Sequence, residues 1–404
     1  MIPASLLLLA CCLLTADSYC DDNVKQKFGY LRGASDSQLF YWFFESRRSS
    51  STSPTLVYFQ GGPGGSSMIS LASGNGGPCI LNRKGDKTTP NQFSFNTFVN
   101  VMYIDQPASV GFSKGRPPRN SVDAAKSTLK ALESFFKESP SYNSEVFLIG
   151  QSYAGHYIPP LAAEILKSGS LIKLKGVILG NSMVNPKVQY SSMPTMAYKS
   201  GTTRSVITKA EYNAMTKGLK GLFDSMKKCL AHRDDDDLCL KAFQTFAGTL
   251  VKPLKDKNID PYDLRLQCTE PPPACRYTEN LKNYFNNRAL QDYLGVRQEW
   301  KLLNTAVLEA FLGDLFVDYS SNLTDILNRG LRVCWLEAWK IRAWHEIYLL
   351  PSGKQIGKLR SFTLAKTGGE LNFAQVFGAG HNAAEDFPDG VLKLVDDFVF
   401  GKYR

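Results

Sequence analysis

Four histidines are all that this 404-residue sequence contains. None of its His, Cys, Asp or Glu spacings matches a metal-ligand pattern, so no metal centre and no cofactor is expected. No apolar run reaches the roughly 20 residues of a membrane-spanning helix. The run Leu6 to Leu14 is shorter, and the small residues Ala16 and Ser18 follow it. It reads as a secretory signal peptide over residues 1–18, although no basic residue precedes it. After its removal no stable membrane insertion is expected. The glycine-rich stretch Gly61 to Ser67 is not followed by Gly-Lys-Ser/Thr, which excludes a phosphate loop. Lys and Arg outnumber Asp and Glu by 47 to 37, yet they are dispersed, without the aromatic-interleaved basic stripe of nucleic-acid binders. Internal repeats and long low-complexity segments are absent as well.

What is present suits a globular chain: 43% hydrophobic and 21% charged residues. Apolar runs at Thr55-Leu-Val-Tyr-Phe, Phe98 to Ile104, Val146 to Ile149 and Leu174 to Leu179 read as buried strands. Phe28-Gly-Tyr-Leu and Gln38 to Ser46 predict a hairpin before them. A helix over about Val122 to Lys137 separates two of the runs. Strands alternating with helices predict an α/β fold with a mostly parallel central sheet flanked by helices. From about Asn185 to Asn304 the texture turns helical, including Lys209 to Leu230, and predicts an inserted cap. The acid run Asp234 to Asp237 reads as a solvated turn. The expected organisation is therefore 1–18 signal, 24–184 core, 185–304 helical cap and 305–404 core, with Leu331-Arg-Val, Leu371 to Phe377 and Val391 to Phe400 as strand, strand and closing helix.

If Cys11 and Cys12 leave with the signal, an odd number of cysteines remains. The close pairs Cys229/Cys239 and Cys268/Cys275 are the disulfide candidates of an exported protein. Asn322-Leu323-Thr324 is a glycosylation sequon.

One stretch carries chemistry. Val146-Phe-Leu-Ile is followed by Gly150-Gln-Ser-Tyr-Ala-Gly155 and then by the helical Ile158-Pro-Pro-Leu-Ala-Ala-Glu-Ile-Leu. A strand, a sharp turn of small residues with serine at its apex, and a helix together describe a nucleophile elbow stretched by one residue. From the pattern alone, a tight turn with an exposed serine reads equally well. Glycines at the end of the strand Thr55 to Phe59 imply backbone N–H groups free to meet a ligand.

Seven blocks in order resemble the serine carboxypeptidases, a secreted or lysosomal/vacuolar branch of the α/β-hydrolases. They are Phe40-Tyr-Trp-Phe-Phe-Glu-Ser, Gly61-Gly-Pro-Gly-Gly-Ser-Ser, Ile104-Asp-Gln-Pro, Gly150-Gln-Ser-Tyr-Ala-Gly-His-Tyr-Ile-Pro, Leu174-Lys-Gly-Val-Ile-Leu-Gly-Asn, Tyr262-Asp-Leu-Arg and Ala379-Gly-His. The resemblance implies an α/β-hydrolase fold and release of C-terminal amino acids from peptides or proteins through an acyl-enzyme on Ser152. It implies His381 as general base and the N–H groups of Gly62 and Tyr153 as oxyanion hole. His156 matches a family histidine with no triad role. The substrate carboxylate would meet the loop of Gln60 and Gly61 and, beside the nucleophile, Gln151. Gln60 stands where the family has Asn, Gln151 where it has Glu, and Gly74 or Asn75 where it has a second Glu. Paired acids bind an anion only when protons sit between them, whereas an amide donates at any pH. Activity is therefore expected to persist toward neutral pH.

The third triad member breaks the pattern. The family places its Asp after a strand that Gly330-Leu-Arg-Val begins, but here Val333 joins almost directly to Cys334-Trp-Leu-Glu. The family comparison thus predicts the loss of the Asp and of most of a central strand. Glu337 and Asp386 are the nearest acids and are expected away from strand ends; Asp314 belongs to an earlier block. Neither Glu337 nor Asp386 is assigned. The resemblance leaves three readings of the gap: a mis-spliced gene model, which the expected harm to folding favours; a weakened enzyme; or an inactive, peptide- or partner-binding relative. Acyltransferases of the same chemistry are a further alternative. Gly65 replaces a family cysteine, which implies that Cys79 or Cys334 is left unpaired.

Overall fold

Residues whose side chains are apolar on both faces of a strand need cover on both sides, and they set the middle of the sheet. A computed structural model of the chain describes residues 19–48, 52–200, 203–270, 275–337, 346–349 and 353–403. The expected signal peptide lies outside them. Twelve strands are present among the described residues: β1 Gln26–Arg32, β2 Gln38–Phe44, β3 Thr55–Phe59, β4 Cys79–Leu81, β5 Thr88–Pro90, β6 Asn100–Ile104, β7 Val146–Gln151, β8 Leu174–Gly180, β9 Arg332–Glu337, β10 Glu346–Leu349, β11 Gln355–Thr363 and β12 Glu370–Val376. Ten form one sheet in the order β1-β2-β6-β3-β7-β8-β9-β12-β11-β10, while β4 and β5 form a separate pair. The pairings from β6 through β3, β7, β8 and β9 to β12 are parallel. Those at both edges are antiparallel. The sheet is thus mixed, and parallel at its centre as the apolar runs predict.

One core lies on each face. Helices Ser121–Glu138 and Ala154–Lys167 pack Leu132, Phe135, Ile158 and Leu161 against Val57, Leu148 and Val177. Helix Pro388–Val399 and the chain around Trp300 cover Tyr58, Phe147, Ile149 and Ile178 on the other face. Between β8 and β9 the chain leaves the sheet. There helix Lys209–Ala231, opened by a capping box of Thr208 and Glu211, pairs with Asp236–Phe246, which Asp235 caps. The acid run is therefore a helix start rather than a plain turn, which follows from the preference of Asp for caps and first turns.

The gap in the family pattern does not open a gap in the sheet. β9 is paired on both sides over its described length, with Gly180 opposite Leu336 on one side and Gln375 opposite Glu337 on the other. Val333 faces one core, and Cys334 and Leu336 face the other. The expected loss of a central strand is corrected, because Cys-Trp-Leu-Glu supplies apolar groups to both faces and the backbone supplies the ladder. The folding objection to a functional deletion falls with it. Glu337 stands at the strand end after all.

Both short disulfides form, Cys229–Cys239 and Cys268–Cys275, and a third joins Cys20 to Cys79 across 59 residues. Of the two cysteines expected to be unpaired, Cys334 alone is free among the described residues. Burial pushes its thiol up to about 12, so it is an inert packing group.

Candidate active site

The C-terminal ends of β3, β7, β8 and β12 carry Gln60, Ser152, Asn181 and the loop to His381, the edge where open α/β sheets place ligands. Ser152 sits at φ +62°, in the left-handed region. Its N–H donates to Gly180 O at 3.2 Å, and its carbonyl accepts from Gly155 at 3.1 Å and Met183 at 2.9 Å. A Cβ on Gly150 would lie 2.5 Å from Ala154 Cβ, and one on Gly155 would lie 2.3 Å from Met183 O. Those approaches are why the turn needs small residues. The sharp strand-to-helix turn is therefore an elbow rather than an ordinary loop.

The glycine loop closes on the same point. A Cβ on Gly61 would fall 2.4 Å from Tyr153 N and 2.6 Å from Ser152 Cβ. Gly62 stands at φ +122°. Neither its N–H nor that of Tyr153 has a hydrogen-bond acceptor among the described residues. Asp105 fixes this loop from beneath, accepting Ser66 Oγ at 2.7 Å and Ser67 N at 2.9 Å. Burial pushes its carboxyl up to about 6 against those bonds.

Three amides line the floor. Gln60 Oε1 accepts from Tyr58 Oη at 3.1 Å and Ser70 Oγ at 3.0 Å. Of the two candidates for the second family Glu, the structure brings in Asn75: its Nδ2 donates to Gln151 Oε1 at 2.6 Å, whereas Gly74 ends a helix at φ +88°. Gln151 Nε2 in turn donates to Asn382 Oδ1 at 2.6 Å. The sequence reading missed Asn382 and Asn181; their positions beside His381 and at the end of β8 were the available signals.

His381 follows β12. Its N–H donates to Tyr262 O at 2.8 Å, and the two rings lie 5.0 Å apart. Leu336, Ile149, Ile178 and Val391 line a small pocket with it. Burial, with the Arg276 guanidinium adding to it, lowers the imidazole to about 4, so the ring is neutral at physiological pH. Neither ring nitrogen has a hydrogen-bond partner among the described residues.

No described acid orients that ring. Asp386 accepts from Gly380 N at 2.6 Å and Arg265 at 3.1 Å, which anchors the loop backbone. Asp314 lies under the elbow, where Tyr153 Oη, Ser121 Oγ, Tyr319 Oη and Arg233 occupy it. His156, expected outside the triad, is buried with Nδ1 donating to Met183 O at 2.7 Å. Glu337 accepts from Trp335 Nε1 at 2.5 Å, and the sequence from Ala338 to His345 holds no acid.

Burial pushes the Glu337 carboxyl up to about 7. A raised pKa means that the folded chain keeps the proton longer than the unfolded one. The associated stability is complete below the unfolded value of 4.5 and lost as pH rises through about 7. Thermal unfolding at pH 5 and pH 8 should show the wild type losing about 1–3 kcal/mol more than Glu337→Gln, which keeps an acceptor for Trp335 and cannot ionise. Equal losses in the two proteins would refute the assignment.

The family model for serine carboxypeptidases matches residues 18–338, which ends before His381. Carboxypeptidase Y homolog A of Trichophyton rubrum is 30% identical over 416 residues, covering 95% of this chain and 76% of that protein. The same-named protein of Arthroderma otae is 30% identical over 419 residues, with the same coverage. The crystal structure of KEX1(Δ)P, a prohormone-processing carboxypeptidase from Saccharomyces cerevisiae, superposes with a TM-score of 0.77 at 19% identity, covering 94% of this chain and 92% of that one. That likeness concerns the fold, and the resemblance read from the seven blocks holds. The chain belongs to the serine carboxypeptidase family.

Proposed function

We propose that the protein is a serine-type carboxypeptidase that releases C-terminal amino acids from peptides, working without an acid to orient its base. The observation that carries this reading is the meeting of the Ser152 elbow with two free amides, those of Gly62 and Tyr153, beside amide side chains in place of acids. Ser152 Oγ attacks the last peptide carbonyl while its proton passes to His381. The oxyanion forms against the two N–H groups, and the proton returns to the leaving amine as the C–N bond breaks. Water then repeats the sequence to release the acyl group. Gln60 and the Gly61 turn, with Gln151, receive the substrate carboxylate.

Three disulfides fit the oxidising secretory pathway, with a secreted or lysosomal/vacuolar destination. No helix among the described residues is long and apolar enough to cross a membrane. The unpartnered ring of His381 favours a second reading, an inactive relative that binds peptide ends.

A fluorophosphonate probe with a tagged reporter separates the two, since only an activated serine is labelled. Labelling of Ser152 is expected to rise with pH through about 4, as His381 loses its proton, and to stay level toward neutrality. Peptide hydrolysis should follow, because the amides that hold the carboxylate do not titrate. A steep fall in hydrolysis above about 4.3, the ordinary Glu value, would sink the amide account. Absence of labelling in folded protein would sink the enzyme reading.

A further inference from the structure

Asn382 occupies the N-cap position of the short helix Ala383–Asp386, where an Asn side chain ordinarily accepts a backbone N–H of the first turn. It makes no such cap. Its Oδ1 instead accepts from Gln151 Nε2 at 2.6 Å, across 231 residues of sequence, and its Nδ2 donates to Glu385 at 2.9 Å. The bond joins the residue before Ser152 to the residue after His381.

Other groups hold the same loop by its backbone. Asn181 Nδ2 donates to Gly380 O at 3.1 Å and to His381 O at 2.9 Å. Asp386 accepts from Gly380 N, and Arg265 reaches Gly378 O. Only the Gln151–Asn382 bond ties this loop directly to the elbow strand by side chains among these contacts. Gln151 is itself fixed by Asn75, so the clasp is backed at both ends, by Asn75 and by Glu385.

We propose that Asn382, clasped by Gln151, is a positioning residue that sets His381 against Ser152 in place of the missing triad acid. The proposal rests on the carboxypeptidase reading for its chemistry. A neutral amide fixes the loop at every pH but does not stabilise an imidazolium, so it supplies geometry without the charge. Arg265, Arg276, Asp260, Asp263, Glu385 and Asp386 are the charged groups around the loop, and none of them is removed by changing Asn382.

The test compares full-length wild type, Asn382→Ala and Asn382→Asp by the rate of fluorophosphonate labelling of Ser152 across pH. Long-range imidazole 1H–15N spectra are recorded in parallel, with the His381 signal assigned by its loss in His381→Gln. Asn382→Ala should label about 10- to 100-fold more slowly, the penalty for reacting groups set about 1 Å apart from their productive placement, with altered His381 ring shifts. Asn382→Asp keeps an acceptor for Gln151, exchanges the bond to Glu385 for a second carboxyl group, and places a negative charge next to His381. It should recover most of the rate, with the rise in labelling moved to higher pH. Wild-type labelling by Asn382→Ala with unchanged ring shifts overturns the proposal. If the wild type itself does not label, the enzyme reading fails and the ring shifts alone decide: a change in Asn382→Ala upholds the clasp, and no change overturns it. If Asn382→Ala does not fold, as seen by near-ultraviolet dichroism, Asn382→Asp carries the test, and an unmoved His381 titration overturns the proposal.

Discussion

Alanine at Ser152 should abolish peptide hydrolysis and probe labelling, and alanine at His381 should lower both by a factor of about 10², the part of the triad's effect that remains when the acid is already missing. The wild type against which these are measured should itself be slow. Loss of the acid from a Ser-His-Asp triad costs about 10⁴ in kcat, and here the cause is visible at the ring. His381 lies in a pocket of apolar and amide side chains with Arg276 nearby and its imidazole near 4, so the cation it must become in the transition state meets no orienting carboxylate among the described residues. The neutral ring is ready to accept a proton, and what it lacks is stabilisation once it has done so. Steady-state kcat/KM on an N-blocked dipeptide, with a burst titration to count competent sites, checks the expectation. A His381→Ala rate equal to wild type would remove His381 from the mechanism.

The second large effect belongs to Gly61. A methyl group there meets Tyr153 N at 2.4 Å, Ser152 Cβ at 2.6 Å and Gln151 O at 2.7 Å. Two of the three are backbone atoms of a turn held by hydrogen bonds on both sides, so no rotamer change relieves the clash. Gly61→Ala must push the glycine loop away from the elbow. It should lower turnover by about 10²–10³-fold through the displaced oxyanion donor and destabilise the fold by about 1–3 kcal/mol. Gly221 is the control, because an added methyl meets nothing within 4 Å on the exposed helix Lys209–Ala231. Gly221→Ala should stabilise by about 0.5–1 kcal/mol. Denaturant unfolding and labelling rates read both variants, and a Gly61→Ala protein as reactive as wild type would dissociate the loop from the chemistry.

The sequence discloses the parts of this molecule that physics constrains locally. The elbow is legible because a left-handed serine between a packed strand and helix admits only small neighbours, and the sheet centre because two-sided burial demands unbroken apolar runs. Strand β9 was misjudged for the converse reason. Measured against the family, Arg332–Glu337 lacks a segment, but its backbone finds both partners regardless. Strand β10 at the sheet edge and its neighbour β11 were missed, since Gln355–Thr363 mixes Lys358, Arg360 and an exposed Phe362 with few buried residues. Cys20–Cys79 and Gln151–Asn382 join residues far apart in sequence by one bond each, and a single long-range contact leaves no period to detect.

β9 bears on how such proteins change over time. A slot between two parallel strands admits almost any short segment with oily side chains above and below, whichever stretch of the gene encodes it. Folding therefore polices hydrophobic content along this strand, while only chemistry polices the residue that emerges at its tip. An excision here can remove the group at the strand's tip and still leave both neighbouring ladders of the sheet paired. Loss of activity and loss of structure are thus separable events at this position, and descendants of an enzyme can inherit the scaffold while the reaction is free to drift.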